Sequence, residues 1–306
     1  MRENLKYLSI FKFILIAFVF YGCKNKIQTE YPIADWSDVD YSGNNHISQK
    51  MDIYLPKNNN KKHPLVIVVY GSGWSSNNKK LSNYQKDVFV KPLSKKGFAT
   101  ISINHRSSRL DSVFPAQIHD VKAVIRFLRA NHLEYNLDTS FIGIAGYSSG
   151  GHLAALAGTS SNNSLVAGDV GNYLEYDTNV NAVVDFYGPT DLNVFYECPI
   201  TKDKNLSDEQ KMRVFGDVDN ISEVFDLANP IKYINDKTPP FLIFHGEMDR
   251  TVPVCQSQLL HNALIQNNIQ SELILKEDGD HCGNTLMYHH SKKMADFFYN
   301  QYNKQL

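Results

Sequence analysis

Gly146-Tyr147-Ser148-Ser149-Gly150 is a G-x-S-x-G stretch. It follows the apolar run Phe141-Ile142-Gly143-Ile144-Ala145 and opens a segment of helical composition from Gly150 to Ala157. A serine at the tip of a strand–turn–helix is set up to be a nucleophile. The sharp turn strains its dihedrals and lifts its hydroxyl clear. Gly146 and Gly150 leave room where side chains would collide, and the helix N-terminus favours negative charge developing there. Ser149 and Ser160 do not sit centrally in the same pattern. A serine hydroxyl needs a base, and the usual base is an imidazole held by a carboxylate. The expected acid is Asp249, in the loop His245-Gly246-Glu247-Met248-Asp249-Arg250-Thr251-Val252-Pro253. Glu247 is its near rival, more simply read as a solvated loop carboxylate. The expected base is His281, in Asp278-Gly279-Asp280-His281-Cys282-Gly283. There are 11 histidines, so a lone one means little. His152 reads as packing within the helix that follows Ser148, and His289 and His290 fall on the closing helix.

Attack on a carbonyl creates an oxyanion, which needs two or more backbone donors. The amide of Ser149, directly after the nucleophile, is one. Tyr70-Gly71-Ser72-Gly73-Trp74, after an early strand, is placed to supply others. The amides of Ser72 and Gly73 are expected in that role, with Trp74 a substitute for one of them. The alternative is a plain glycine turn.

These loops need a frame. Met51 to Leu55, Pro64 to Tyr70, Phe98 to Ile103, Phe141 to Ala145, Val180 to Tyr187, Pro240 to His245 and Glu272 to Leu275 read as strands. Lys57-Asn58-Asn59-Asn60-Lys61-Lys62 reads as a hairpin loop between the first two. Helices are expected from Pro115 through Leu128, from Gln256 to Ile265 and from Tyr288 to Phe298, with residues 188–238 a long polar, irregular insert. Alternating strands and helices imply an α/β fold, a mostly parallel sheet flanked by helices. Sites in such sheets lie at the carboxyl ends of the strands, where Ser148, Asp249 and His281 all fall.

Several stretches together resemble the esterase family that holds bacterial feruloyl and acetyl-xylan esterases, related to the hormone-sensitive-lipase group. They are Met51-Asp52-Ile53-Tyr54-Leu55-Pro56, Phe114-Pro115-Ala116-Gln117 with Asp120, Gly146 to Ala154, Asp185-Phe186-Tyr187-Gly188-Pro189-Thr190-Asp191, and the Asp249 and His281 loops. The resemblance runs from about Gln49 to Phe298 and implies an α/β-hydrolase fold. It also implies ester hydrolysis without metal or cofactor, with nucleophile, acid and base at Ser148, Asp249 and His281. The family's oxyanion loop usually reads His-Gly-Gly-Gly-Trp; here Tyr70 and Ser72 replace the His and the middle Gly. The substrate it implies is a small ester or an acylated oligosaccharide carrying acetyl or feruloyl groups. Tyr173, Tyr176 and Tyr196 are aromatic residues for stacking on sugar or phenolic rings, with packing the plainer reading. The acid loop and Gln256-Ser257 also resemble prolyl-oligopeptidase-type peptidases, and a formamidase-like amidase fits the loops. A catalytically inactive surface-binding protein is a third class.

The 306-residue chain carries 31 basic and 32 acidic residues, a net charge of −1 that gives no basic surplus for nucleic acid. Arg2, Lys6 and Lys12 precede the short apolar run Phe13 to Phe20, and Gly22-Cys23 follows. That run is too short to span a membrane, and a small residue before cysteine resembles a bacterial lipoprotein signal. The expected organisation is a signal peptide over 1–22, a tether and lead-in over 23–48 beginning at a lipidated Cys23, and a catalytic domain over 49–306. This locates the protein in the cell envelope on a lipid anchor, with plain secretion or an uncleaved anchor the alternatives. Cys198, Cys255 and Cys282 complete the four cysteines; their spacing matches no zinc motif, and one disulfide is possible without the pair being specified.

Overall fold

A strand apolar along its whole length needs neighbours on both edges and cover on both faces, so it goes to the middle of a sheet. The segment His63–Val69 is buried at all seven positions. The computed structural model describes residues 31–57, 62–76, 79–110, 112–161, 163–195, 197–198, 214–216, 220–281 and 284–305. Its sheet has eight strands: β1 (Trp36–Asp40), β2 (Lys50–Tyr54), β3 (His63–Val69), β4 (Ala99–Ile103), β5 (Leu137–Tyr147), β6 (Ala182–Phe186), β7 (Phe241–Gly246) and β8 (Ser271–Lys276). Their spatial order is β1-β2-β4-β3-β5-β6-β7-β8. β1 and β2, and β2 and β4, pair antiparallel; every later pairing is parallel.

Alternation along β3 shows how the faces are filled. Leu65, Ile67 and Val69 join one core, with α1 (Ala116–Ala130), α2 (Ser149–Thr159) and α4 (Cys255–Gln266). Val66 and Val68 join the other, with Phe89, Phe98 and α5 (Asn284–Asn303). Period-2 side chains and two helical layers thus give the α/β-hydrolase architecture its three-layer section.

Four expectations need adjusting. β2 and β3 are not a hairpin, because β4 lies between them; of the loop Lys57–Lys62, residues 58–61 lie outside the described residues. Burial of β3 on both faces decides this, since a hairpin would have left the Lys50 strand beside it. The sheet begins at Trp36, inside the stretch read as lead-in, and the compact unit starts at Pro32. β5 is longer than expected, running from Leu137 to Tyr147. The insert contains α3 (Ile221–Ala228) and a 3₁₀ turn (Pro230–Tyr233), and it buries Phe215 against Trp74, Phe114 and Phe225.

Candidate active site

The sheet's register brings the ends of β5, β6, β7 and β8 to one edge. Ser148 leaves β5 with φ 54° and ψ −129°, the strained turn predicted for it, and its amide donates to Phe186 O at 2.9 Å. The glycines make that turn possible. A Cβ on Gly146 would lie 2.1 Å from Gly150 O, and one on Gly150 would lie 2.2 Å from Val69 O. α2 starts at once, so the serine stands on the helix N-terminus.

Asp249 and His281 come from the loops after β7 and β8. Ser148 Oγ lies 3.0 Å from His281 Nε2, and His281 Nδ1 lies 2.6 Å from Asp249 Oδ2. Asp249 Oδ1 accepts the amides of Thr251 at 2.8 Å and Val252 at 2.9 Å. Burial pushes this carboxyl up, but hydrogen bonds from His245, His281 and the Val252 amide outweigh it and leave the group at about 2. Carboxylate, imidazole and hydroxyl therefore form a chain that can carry a proton away from the serine. Glu247 is exposed, with its amide bonded to Lys276 O. His289 and His290 both lie on α5, where His290 Nδ1 lies 2.8 Å from Leu286 O.

The loop after β3 differs in one respect from its sequence reading. The Ser72 amide donates to Ser149 Oγ at 2.9 Å, so it is directed at α2 rather than at the space above Ser148. The Ser72 hydroxyl bridges Ser76, donating to its carbonyl at 2.7 Å and accepting its amide at 2.9 Å. A serine in place of glycine therefore ties the loop to itself and to the helix. Gly73 and Trp74 both take left-handed φ, 62° and 58°. The Trp74 indole donates to His152 Nδ1 at 3.3 Å, and His152 Nε2 donates to Ala228 O at 2.7 Å. Burial holds His152 down at about 4 despite the Ala228 contact, so it is a neutral packing residue linking the loop to α3.

Other expected residues fall elsewhere. Tyr173 packs on Phe127 and donates to Asn131 at the end of α1 that leads into β5, the opposite end of that strand from Ser148; Tyr176 packs on Tyr173. These two rings serve packing there. Tyr196, Cys23 and Cys282 lie outside the described residues. The disulfide joins Cys198 of the insert to Cys255, the first residue of α4, with Cα atoms 6.1 Å apart.

Sequence reasoning missed several side chains around the site. The Tyr187 ring packs edge-on against the His281 ring at 4.8 Å, from a residue with φ 46° directly after β6. Its place at a strand's carboxyl end was the available signal. His245 reaches Asp249 from within β7, at i and i+4 of the same loop motif. A pocket of about 370 Å³, lined by Met248, Arg250, Thr251, Asp280 and His281, opens beside the imidazole. A wider groove of about 870 Å³ between β8 and α5 shares no residue with the site.

Comparison with known proteins agrees with this architecture. A model of the BD-FAE family matches residues 51–264. A solved structure described as a bifunctional GH43-CE from Bacteroides eggerthii is 42% identical with a TM-score of 0.78, over 87% of this chain and 38% of that one. A truncated form of a carbohydrate esterase from gut microbiota is 37% identical with a TM-score of 0.80, over 90% of this chain and 100% of that one. Among curated sequences, the esterase LipQ of Mycobacterium tuberculosis is 34% identical over 212 residues, 67% of this chain and 46% of that protein. The chain spans about half the length of the curated relatives it matches. With the family model covering more than half of its residues, this chain belongs to the BD-FAE family.

Proposed function

We propose that this protein is a serine carboxylic-ester hydrolase in which Ser148 is the nucleophile, His281 the base and Asp249 the acid. The observation that carries the reading is the continuous contact Ser148 Oγ–His281 Nε2–Asp249 Oδ2, at 3.0 and 2.6 Å. His281 takes the serine proton as Ser148 Oγ bonds to the ester carbonyl carbon. The tetrahedral intermediate collapses, and the alcohol leaves with the proton from Nε2. Water activated by the same imidazole releases the acid and restores the serine. The oxyanion donors are the amides of Ser149 and Gly73, with Trp74 the alternative to Gly73; Ser72 instead braces the loop through Ser149. The reaction requires no metal or cofactor.

The substrate class is an acetyl or feruloyl ester on a polysaccharide-derived alcohol. It is supported by the family match and by the carbohydrate esterase among the similar structures. The pocket lined by Thr251, Arg250 and Asp280 beside His281 offers hydrogen-bonding groups where a sugar alcohol would depart. Export on a lipid anchor at Cys23 is the matching localisation, supported by Gly22-Cys23 after a short apolar run. Radiolabelled palmitate incorporated by the full chain and lost in Cys23→Ala tests the anchor.

The enzymatic test uses purified protein with p-nitrophenyl acetate, acetylated xylo-oligosaccharides, a feruloyl ester and a prolyl-nitroanilide. Hydrolysis of the esters, abolished in Ser148→Ala while the thermal transition stays in place, is expected. Turnover of the anilide alone, or full ester activity in Ser148→Ala, overturns the reading.

A further inference from the structure

The carboxylate of Asp249 is held by more than His281. Its Oδ2, which receives His281 Nδ1 at 2.6 Å, also lies 3.3 Å from Nε2 of a second imidazole, His245. That ring is fully buried, inside β7. Its Nε2 lies 2.9 Å from Val252 O, and its Nδ1 lies 2.6 Å from Ser257 Oγ. Carbonyl and carboxylate oxygens only accept, so Nε2 carries a proton. In the neutral ring Nδ1 is then an acceptor, and the Ser257 hydroxyl donates to it.

Ser257 is itself anchored. It is fully buried in the first turn of α4, directly after two residues that tie that turn to the insert. Cys255 is bonded to Cys198. Gln256 accepts the amides of Thr190 at 2.7 Å and Asp191 at 2.8 Å. The relay Ser257–His245–Asp249 therefore starts from a fixed point and ends on the atom that orients His281. The titratable groups facing His245 are Asp249 from its own loop and Tyr187 after β6, ring to ring at 6.4 Å.

We infer that His245 is a positioning residue for Asp249: Val252 O and Asp249 fix its proton on Nε2, and Ser257 holds the other side of the ring in place. The Nε2–H of His245, hydrogen-bonded to Val252 O at 2.9 Å, also faces Oδ2 at 3.3 Å, where it keeps the carboxylate from rotating away from His281 and takes a share of its charge. Without that donor, Oδ2 samples other orientations and, when it does face His281, binds the imidazolium more tightly. The inference rests on the ester-hydrolase reading and names what holds its acid in place.

The test compares His245→Asn, His245→Gln and Ser257→Ala in the full chain. Glutamine extends an N–H donor about as far as Nε2; asparagine ends near Nδ1 and cannot reach Asp249. Turnover is counted per site titrated with a fluorophosphonate, so unfolded molecules drop out. His245→Asn should lose about tenfold in kcat with KM within about twofold, the effect of one hydrogen bond to a charged group, and Ser257→Ala, which keeps the Nε2 donor and loses only the ring's anchor, should lose less than that. His245→Gln should recover most of the loss. In His245→Asn the acid limb of the kcat/KM profile should move up by about half a pH unit, because an undiluted carboxylate favours protonated His281. The downfield proton resonance of His281 Nδ1, recorded without substrate, should move as well. An unmoved acid limb together with an unmoved resonance overturns the inference, as does a glutamine variant no better than asparagine. The resonance separates this outcome from failure of the ester-hydrolase reading, which would show as wild-type protein that cleaves no ester and takes no label at Ser148.

Discussion

Replacing Asp249 with asparagine should disable the base without removing it. The two oxygens of Asp249 have different surroundings. Oδ1 accepts two backbone amides, from Thr251 and Val252, at 2.8 and 2.9 Å. The asparagine carbonyl must take that position, since an NH₂ there would face two donors. The NH₂ then falls where Oδ2 was, 2.6 Å from His281 Nδ1. Nδ1 can meet it only as an acceptor, which moves the ring proton to Nε2, the nitrogen 3.0 Å from Ser148 Oγ. The base now presents N–H to the hydroxyl it should deprotonate. Loss of the correct tautomer costs about 10⁴ in kcat, or about 5.4 kcal/mol in the barrier. The same NH₂ opposes the Nε2–H of His245, 3.3 Å from the present Oδ2, and that conflict should cost about 1–3 kcal/mol of stability. The assay is p-nitrophenyl acetate turnover, alongside a urea melt to confirm that the variant is folded at the assay temperature. A folded Asp249→Asn protein within tenfold of wild-type kcat would refute the reasoning.

Three further outcomes concern stability. Burial pushes Asp185 up to about 7, against the pull of the Gly188 amide, and pushes His152 down to about 4, against the Ala228 carbonyl. The folded state thus binds a proton at Asp185 that the unfolded chain releases above about 4, and stability from this group falls as pH rises toward 7. It lacks a proton at His152 that the unfolded chain binds below about 6.5, and stability from that group falls as pH drops toward 4. Between about pH 4 and 6.5 the two slopes oppose each other, so Asp185→Asn should expose a loss of about 1.4 kcal/mol per pH unit on acidification; urea melts whose unfolding free energy varies with pH no more than that of wild type would refute this. Breaking the Cys198–Cys255 bond, by Cys198→Ser or by reduction, frees a loop spanning 57 residues in sequence and should cost about 4 kcal/mol on the chain-entropy account, read as a lower denaturation midpoint. Trp74→Phe removes the indole donor to His152 Nδ1 and should cost about 1–3 kcal/mol; an unchanged melt would show that this 3.3 Å contact contributes nothing.

The alternation of apolar strands with helical segments, and the strand–turn–helix around Ser148, were determined by the sequence alone. They depend on local features: side-chain period, glycines beside one serine, and runs short enough to be strands. Chain order also placed Asp249 and His281 just after strands, because the ends of parallel strands gather at one edge. Pairing partners were decided only in three dimensions. Nothing local in Lys50–Tyr54 states that β4 will come between it and β3; that follows from which strand most needs burial on both faces. The same holds for the lead-in strand Trp36–Asp40, where no residue is fully buried and the hydrophobic signal is slight, and for α3, whose Phe225 has meaning only against Phe215, itself packed on Trp74. It holds most of all for hydrogen atoms. Whether the Ser72 amide points to an oxyanion or to Ser149, and which nitrogen of His245 carries its proton, depends on partners 77 and 7 residues away. A donor's role is set by the acceptor that folding brings within 3 Å of it, and sequence proximity does not report that distance.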